Sequence, residues 1–161
     1  MKKMLSLVLA LVLMLSMSLT VAAANGINGS SSGTVEVSYN TEESYIVTIP
    51  SDVALSTTGV NGTVKAESVL LEAGKSLTVS MASTNGFAVE YEDSAIAYTV
   101  EAGGSTISVA DSTQAVTVLT VESGTTTGEE TLTFKTTDTA IQAATQSGEH
   151  TDTLTFTCAV Q

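Results

Sequence analysis

Three acidic residues near the middle of the sequence have the type and spacing that could bind a metal ion. Glu90 and Glu92 share one face of an extended chain, and Asp93 follows them directly. Calcium prefers oxygen ligands, but several must converge on one point. Because the Asp-x-Asp-x-Asp-Gly spacing of a calcium loop is absent, we name these three as candidate calcium ligands, with a solvated sheet edge as the alternative.

The single histidine and the single cysteine are the other residues able to do chemistry. His150 and Cys158 fall on the same face of an extended chain but about 26 Å apart, too far for a local dyad. No second histidine and no serine in a recognisable nucleophile turn accompanies them. We therefore expect no catalytic residue, no enzymatic activity and no cofactor other than the calcium alternative. His150 should lie at the surface and the Cys158 thiol in a core.

Asp152 is a candidate acceptor for a covalent crosslink to lysine. Isopeptide bonds of this kind occur in surface sandwiches of Gram-positive bacteria. The single cysteine cannot form an internal disulfide, so we otherwise expect a domain that is stable without cross-links. The candidate donors are Lys65, Lys75 and Lys135.

Aromatic side chains are few, and tryptophan is absent. Most of them fall on the apolar phase of alternating runs, so we expect them in a core. Sugar-binding sandwiches present exposed aromatic rings for stacking, and this chain has few to spare. A carbohydrate- or calcium-binding module stays open as the alternative function. The aromatic residues are Tyr39, Tyr45, Phe87, Tyr91, Tyr98, Phe134 and Phe156.

The end of the chain shows the element that must position these residues. Within the last eleven residues, one face of an extended chain carries threonines and the other carries apolar residues. The first face has Thr151, Thr153, Thr155 and Thr157, and the second has Leu154, Phe156, Cys158 and Val160. Similar short runs rich in valine and threonine recur along the chain, about 8–12 residues apart. The pattern predicts an all-β fold: an antiparallel, immunoglobulin-like or pilin-like β-sandwich of about nine or ten short strands.

Several local features of that sandwich can be predicted. Val35 to Tyr39 alternates like a first strand, and Pro50 should end the second by removing a ladder donor. Asn61-Gly62 is a strong signal for a tight turn. Residues 138–146 could form a short helix or a crossing loop, with Thr137 or Asp138 as the cap.

The N-terminus has the composition of an export signal. Lys2 and Lys3 precede an apolar run from Met4 to Val21, and Ala22-Ala23-Ala24 offers the small residues of a cleavage site. We expect cleavage after Ala24, or alternatively after Ala23. The rival interpretation is an uncleaved anchor, since about 18 apolar residues approach the length that spans a bilayer. Residues 25–33 would then be a flexible Gly/Ser tether, and residues 34–161 a single β-sandwich domain.

The charge of the chain excludes two classes of partner. Removal of the signal would leave three lysines against 17 acidic residues, a net charge of −14, with no arginine. Nucleic acids and anionic lipids bind through lysine and arginine, so we expect no nucleic-acid partner and no membrane contact after cleavage. Such a charge keeps a threonine-rich sheet protein soluble, or attracts cationic partners.

Parts of the C-terminal two-thirds resemble secreted pilin-like sandwich proteins of the spore coat U type. Residues 147–157 are similar to their closing strand, where Gly-x-Tyr-x-Asp-Thr precedes alternating threonine and apolar residues. His150 stands here where that family has tyrosine. Residues 94–100 resemble their apolar-x-Tyr-x-apolar strand, and residues 74–79 followed by 85–89 are similar in order. The same features are similar to WxL-type surface domains, although no Trp-x-Leu motif occurs.

The resemblance implies a surface-associated structural or adhesive module without catalysis. It does not extend to strand-exchange polymerisation, because residues 25–33 lack the alternating apolar residues of a donor strand. We therefore expect a secreted or cell-surface bacterial protein. Its partner would be a surface protein, a polysaccharide or a second copy bound through strand edges.

Overall fold

The computed structural model describes residues 36–107 and 114–161. The predicted signal peptide and tether, and Val35 at the start of the predicted first strand, lie outside the described residues. Contacts divide the chain into two units, Met1–Glu42 and Glu43–Gln161.

The prediction of a first strand over Val35–Tyr39 is wrong for its described part. Residues 36–43 are irregular, and Val37 and Tyr39 are 91% and 67% exposed. Alternation favours a strand only where a ladder partner and a buried face reward it, and residues this exposed lack the buried face.

From Ser44 onward the described residues form nine strands and one short helix, which agrees with the predicted strand number. In chain order they are β1 (Ser44–Thr48), β2 (Val60–Leu70), β3 (Ser76–Ser83), β4 (Ala88–Tyr91), β5 (Ser94–Ala102), β6 (Ser105–Thr106), β7 (Val116–Glu122), β8 (Gly128–Thr136), α1 (Asp138–Gln142) and β9 (Leu154–Val160).

The strands form two antiparallel sheets over one core, so the predicted all-β sandwich is confirmed. One sheet has the order β1-β2-β8-β5-β4, with β6 paired to β5, and the other has the order β7-β3-β9. β2 and β8 contribute Val64, Leu132 and Phe134 to the core, and β3 contributes Val79 and Met81 from the other sheet. Burying these apolar side chains is the main stabilising term of the fold.

The last strand keeps the alternation seen in the sequence. In β9 the threonines and Ala159 are exposed, and the residues packed half-buried against the core are Leu154, Phe156, Cys158 and Val160. β9 pairs only with β3 in the described ladders, with Cys158 opposite Val79 and Phe156 opposite Met81. The strand begins at Leu154, so it is shorter than the predicted strand, which included the residues from Thr151 onward.

The Asn61-Gly62 turn is wrong: both residues lie inside β2, opposite Thr133 and Leu132 of β8. A Cβ on Gly62 would lie 2.8 Å from the Cβ of Pro50. The glycine therefore serves the close approach of Pro50 to the sheet, a role that a tight-turn pattern cannot reveal. Pro50 itself follows β1 by two residues, as expected of a strand terminator.

The predicted helix forms over part of its range. α1 begins after Thr137, whose hydroxyl oxygen accepts a hydrogen bond from the Ala140 amide at 3.1 Å. That contact satisfies one of the amides left unpaired at a helix start. The helix ends at Gln142, and none of its residues is buried.

Candidate functional site

The acidic residues proposed as calcium ligands lie at the hairpin that joins β4 to β5. Glu92 and Asp93 form the two-residue turn, with Glu92 at a φ of 50°, and Glu90 lies in β4. All three side chains are exposed. Among residues 36–107 and 114–161, no three acidic, histidine or cysteine side chains are grouped so as to hold a metal ion. Calcium binding at Glu90, Glu92 and Asp93 therefore stays a prediction without a ligand cluster.

Asp152 is the acceptor at the centre of one hydrogen-bond network. One carboxylate oxygen accepts from the Tyr98 hydroxyl at 2.5 Å and from the Ser83 hydroxyl at 2.7 Å. The other accepts from the amides of Asn85 at 3.1 Å and Thr153 at 2.8 Å. These contacts fasten the chain that enters β9 to the end of β3, to the turn after it and to β5.

Tyr98 shows how strongly this network is desolvated. Its side chain is 7% exposed, and its ring packs edge-on against Phe87. Burial raises the pKa of the Tyr98 hydroxyl far above its ordinary value, and the hydrogen bond to Asp152 and the charge of that carboxylate raise it further. The hydroxyl is thus held as a neutral donor.

The contacts of Asp152 do not favour the predicted isopeptide bond. The four recorded donors to its carboxylate are two hydroxyls and two backbone amides. Two candidate donors have acidic partners elsewhere: Lys65 pairs with Glu67 at 2.7 Å, and Lys75 pairs with Glu72 at 3.5 Å. The acceptor is therefore occupied by hydrogen bonds that hold the fold.

Ser94 is the centre of a second network, and it involves the single histidine. Its hydroxyl oxygen lies 3.0 Å from Nε2 of His150, and it accepts from the amides of Thr145 at 3.0 Å and Gln146 at 3.3 Å. The other ring nitrogen, Nδ1, donates to the Gly148 carbonyl at 3.2 Å. With Nδ1 protonated, Nε2 of the neutral ring accepts the Ser94 proton.

The chemistry open to this serine–histidine pair is limited by its surroundings. Ser94 is 2% exposed, so an incoming substrate cannot reach its oxygen. Two amides already occupy the two lone pairs that a nucleophile would need. The position of His150 differs from the expected free surface site: it is half-buried, and its ring is bonded at both nitrogens.

An open groove of about 500 Å³ lies beside this pair, between α1 and the segment that leads to β9. Tyr91 adjoins His150, with ring centroids 5.8 Å apart, and a Cβ on Gly148 would lie 2.5 Å from the Tyr91 ring. Tyr91 is 36% exposed, against the expectation that the aromatics are core residues. The groove is lined by Ile96, Ile141, Ala144, Thr145, Gln146, Ser147, Gly148 and His150.

Cys158 is less buried than the sequence predicted. It is half-buried in β9, and this burial raises the pKa of its thiol. A raised pKa lowers the thiolate fraction at neutral pH, so the thiol is a poor nucleophile.

The sequence did not reveal the role of Ser94, and it indicated a different role for Asp152. Both residues hold the segment before β9 by hydrogen bonds to distant parts of the chain. The Asp-Thr pair before β9 was visible as a resemblance, but nothing in the sequence connects it to Tyr98, 54 residues away.

A scan against protein-family models, a search of curated proteins and a search of solved structures each found no match. Within the described ranges, no helix has the length and apolar character needed to cross a membrane.

Proposed function

We propose that this chain is a secreted, non-catalytic structural or adhesive β-sandwich module of a bacterial cell surface. The observation that carries the proposal is the role of two polar residues, the half-buried Asp152 and the buried Ser94, in holding the chain in place. Asp152 and Ser94 both bind the segment before β9 to the sandwich, so each serves as a loop anchor. A rigid sandwich with anchored loops and no need of disulfides suits a mechanical or adhesive role outside the cell.

The Ser94–His150 pair supports a non-catalytic role. A nucleophilic serine needs a free lone pair aimed at an accessible electrophile, and a base oriented by a third group. Ser94 has neither accessibility nor a free lone pair. The partner of the histidine is a backbone carbonyl, which cannot stabilise an imidazolium as a carboxylate does.

Charge supports the proposed location and narrows the partners. With 17 acidic residues against five basic ones, and two of those five at the N-terminus, the surface repels phosphate backbones and anionic headgroups. A polysaccharide, a cationic surface protein or a second copy bound through uncharged strand edges are the partners compatible with this balance.

Export and adhesion can be tested separately. The full chain with a C-terminal tag, expressed in a bacterial host, should appear outside the cytoplasm with an N-terminus at Asn25 or Ala24. In the bacterium that encodes the chain, deletion of the gene should reduce attachment to cells or surfaces, and complementation should restore it. A chain that stays in the cytoplasm with its N-terminus intact would contradict the proposal.

A carbohydrate-binding module is the second candidate, favoured by the position of Tyr91 beside the groove. The partly exposed Tyr91 ring adjoins His150, and the groove that His150 lines also offers the apolar Ile141 and the Gln146 amide. A stacking ring beside apolar and polar lining groups is typical of a sugar site. Tyr91→Ala should then abolish binding to an insoluble bacterial polysaccharide, while Tyr39→Ala, which removes another exposed tyrosine, should not. Equal retention of the wild type and both variants would reject this alternative.

A further inference from the structure

Most edge strands of the sandwich carry the features that prevent pairing with another chain. β1 is five residues long and has an irregular ladder with β2 between Ser44 and Ile46. β4 has four residues, and its Glu90 backbone is already bridged to Thr151. β7 has a bulge in its ladder with β3 and contains Glu122. Short length, bulges and charges are the usual protections of a sheet edge.

β9 is the edge strand without these protections. It has seven residues, Leu-Thr-Phe-Thr-Cys-Ala-Val, with no charge and no proline. Its ladder with β3 runs in continuous register from Leu154 to Val160. In the part of the chain that the structure describes, β3 is the only strand paired with it. A regular, uncharged edge of this kind is a template for a further strand.

The direction of the free backbone groups follows from the ladder with β3. Ser76 and Gln161 exchange both backbone hydrogen bonds at 3.0 Å, and Thr153 accepts from the Thr84 amide at 3.0 Å. In an antiparallel ladder, hydrogen-bonded pairs occur at every second residue. Odd-numbered residues of β9 therefore bond to β3, and Leu154, Phe156, Cys158 and Val160 direct their amides and carbonyls to the open edge.

A second copy of β9 complements this edge. Antiparallel pairing centred on Thr157 places Phe156 opposite Cys158 of the other copy and Leu154 opposite Val160. Every outward amide and carbonyl of the strand is then paired, apolar residues meet on the inner face, and threonine or alanine meets on the outer face. Charge favours the same location, because two chains that each carry 17 acidic residues and at most five lysines repel each other over most surfaces and least along an uncharged strand.

We propose that two copies of this chain pair through β9 in antiparallel register about a two-fold axis at Thr157. The three-stranded sheets of the two copies then form one six-stranded sheet, β7-β3-β9 followed by β9-β3-β7 of the partner. The interface is isologous, so it closes as a dimer and does not grow into a fibre. The biological meaning of the dimer rests on the proposed surface role, but its formation does not.

The register can be tested by charge at the axis. Thr157 is exposed on the outer face of β9, and Thr120 is exposed on β7 of the same sheet. In the chain as exported and processed by a bacterial host, Thr157→Glu and Thr157→Lys should each weaken the dimer about fivefold, because like charges meet across the axis. An equimolar mixture of the two variants should restore association as a heterodimer. Thr120→Glu, the control with the same added charge, should leave the dimer unchanged.

A cysteine crosslink provides a second measurement that is independent of affinity. In the proposed dimer, Thr157 of one chain lies opposite Thr157 of the other as a non-hydrogen-bonded pair. The Cα atoms of such a pair lie about 4.5 Å apart, within the range of a disulfide. In a Cys158→Ser background, oxidation should crosslink Thr157→Cys to a dimer far more than Thr155→Cys or Ala159→Cys.

Three outcomes would overturn the proposal. They are a wild type that sediments as a monomer at all concentrations, association that Thr157→Glu does not alter, or a ladder of higher oligomers. A ladder would indicate that another segment occupies the β9 edge head-to-tail. A chain that is exported but does not dimerise would contradict the dimer and leave the proposed surface role standing. A chain that dimerises but stays in the cytoplasm would contradict the surface role and leave the dimer standing.

Discussion

At the scale of the residue, Asp152 should contribute more to the stability of the fold than its half-exposed position suggests. Its carboxylate accepts four hydrogen bonds, one of them from the buried Tyr98 hydroxyl. Asp152→Ala leaves that hydroxyl without an acceptor, so we expect the free energy of unfolding to fall by about 3 kcal/mol. Urea unfolding followed by circular dichroism measures the change.

The matched control is Asp93→Ala, which removes an exposed carboxylate from the β4–β5 turn. Away from buried contacts, such a change should stay within about 0.5 kcal/mol. Asp152→Asn should lie between the two, because one amide oxygen can still accept while the amide nitrogen faces donors. Equal stability of Asp93→Ala and Asp152→Ala would show that the network contributes nothing net.

Because the pKa of Tyr98 is raised in the folded state, we expect the free energy of unfolding to fall at alkaline pH. Its folded pKa is raised, chiefly by burial, so above about pH 10 the unfolded chain loses a proton that the folded chain keeps. The unfolded state then binds fewer protons, and stability falls by about 1.4 kcal/mol per pH unit from this group. The stabilising effect is complete below the unfolded pKa and is lost as the pH rises.

Tyr98→Phe isolates this contribution from other groups. The raised pKa of Cys158 acts with the same sign, so both proteins should be compared in a Cys158→Ser background. Urea midpoints between pH 9 and 11 should fall less steeply for Tyr98→Phe, although it is less stable at neutral pH. Parallel curves for the two proteins would mean that Tyr98 titrates alike in both states.

Ser94 anchors the segment before β9, and its removal should act locally. Ser94→Ala deprives the Thr145 and Gln146 amides of their acceptor and His150 of its hydroxyl partner. We expect a loss of about 2 kcal/mol. Amide hydrogen exchange should quicken over residues 143–150, while β3 and β8 keep the protection of the core. Uniform acceleration over all strands would instead indicate a global loss of stability alone.

At the scale of the element, period-two patterns were reliable where both faces of a strand had different surroundings. β3 alternates between half-buried and buried residues, β9 alternates between half-buried and exposed residues, and the sequence located both strands. Residues 36–40 show the same alternation without a buried face, and no strand forms there. The two anchors, Asp152 and Ser94, could not be predicted, because all their partners except Thr153 lie more than 50 residues away in sequence.

Gly62 in β2 allows the close approach of Pro50, which follows β1. Gly62→Ala places a methyl group 2.8 Å from the Pro50 ring, and overpacking of this kind costs about 1–3 kcal/mol. In a Pro50→Gly background the same substitution should cost much less. A double-mutant cycle from urea unfolding gives the coupling directly, and additive effects would show that the two residues do not meet.

At the scale of the whole molecule, repulsion among acidic residues opposes a few weak ion pairs. In the described part of the chain, ion pairs join Lys65 and Lys75 to glutamates at partly exposed positions, and pairs of this kind contribute about 0–1 kcal/mol each. A net charge of −12 acts over the entire surface and is screened by salt within about 10 Å at 0.1 M. We therefore expect sodium chloride to raise the melting temperature; a decrease would mean that the ion pairs dominate.

The same measurement separates screening from calcium binding. Calcium and magnesium chlorides at equal ionic strength screen alike, so a chain without a calcium site should respond equally to both. A larger shift with calcium would support the alternative function, and the double variant Glu92→Gln/Asp93→Asn would then have to abolish that excess. These two carboxylates are exposed in a two-residue turn, where calcium would have to find most of its six to eight oxygen ligands in water. We therefore expect equal shifts for calcium and magnesium, and the same equality in the double variant.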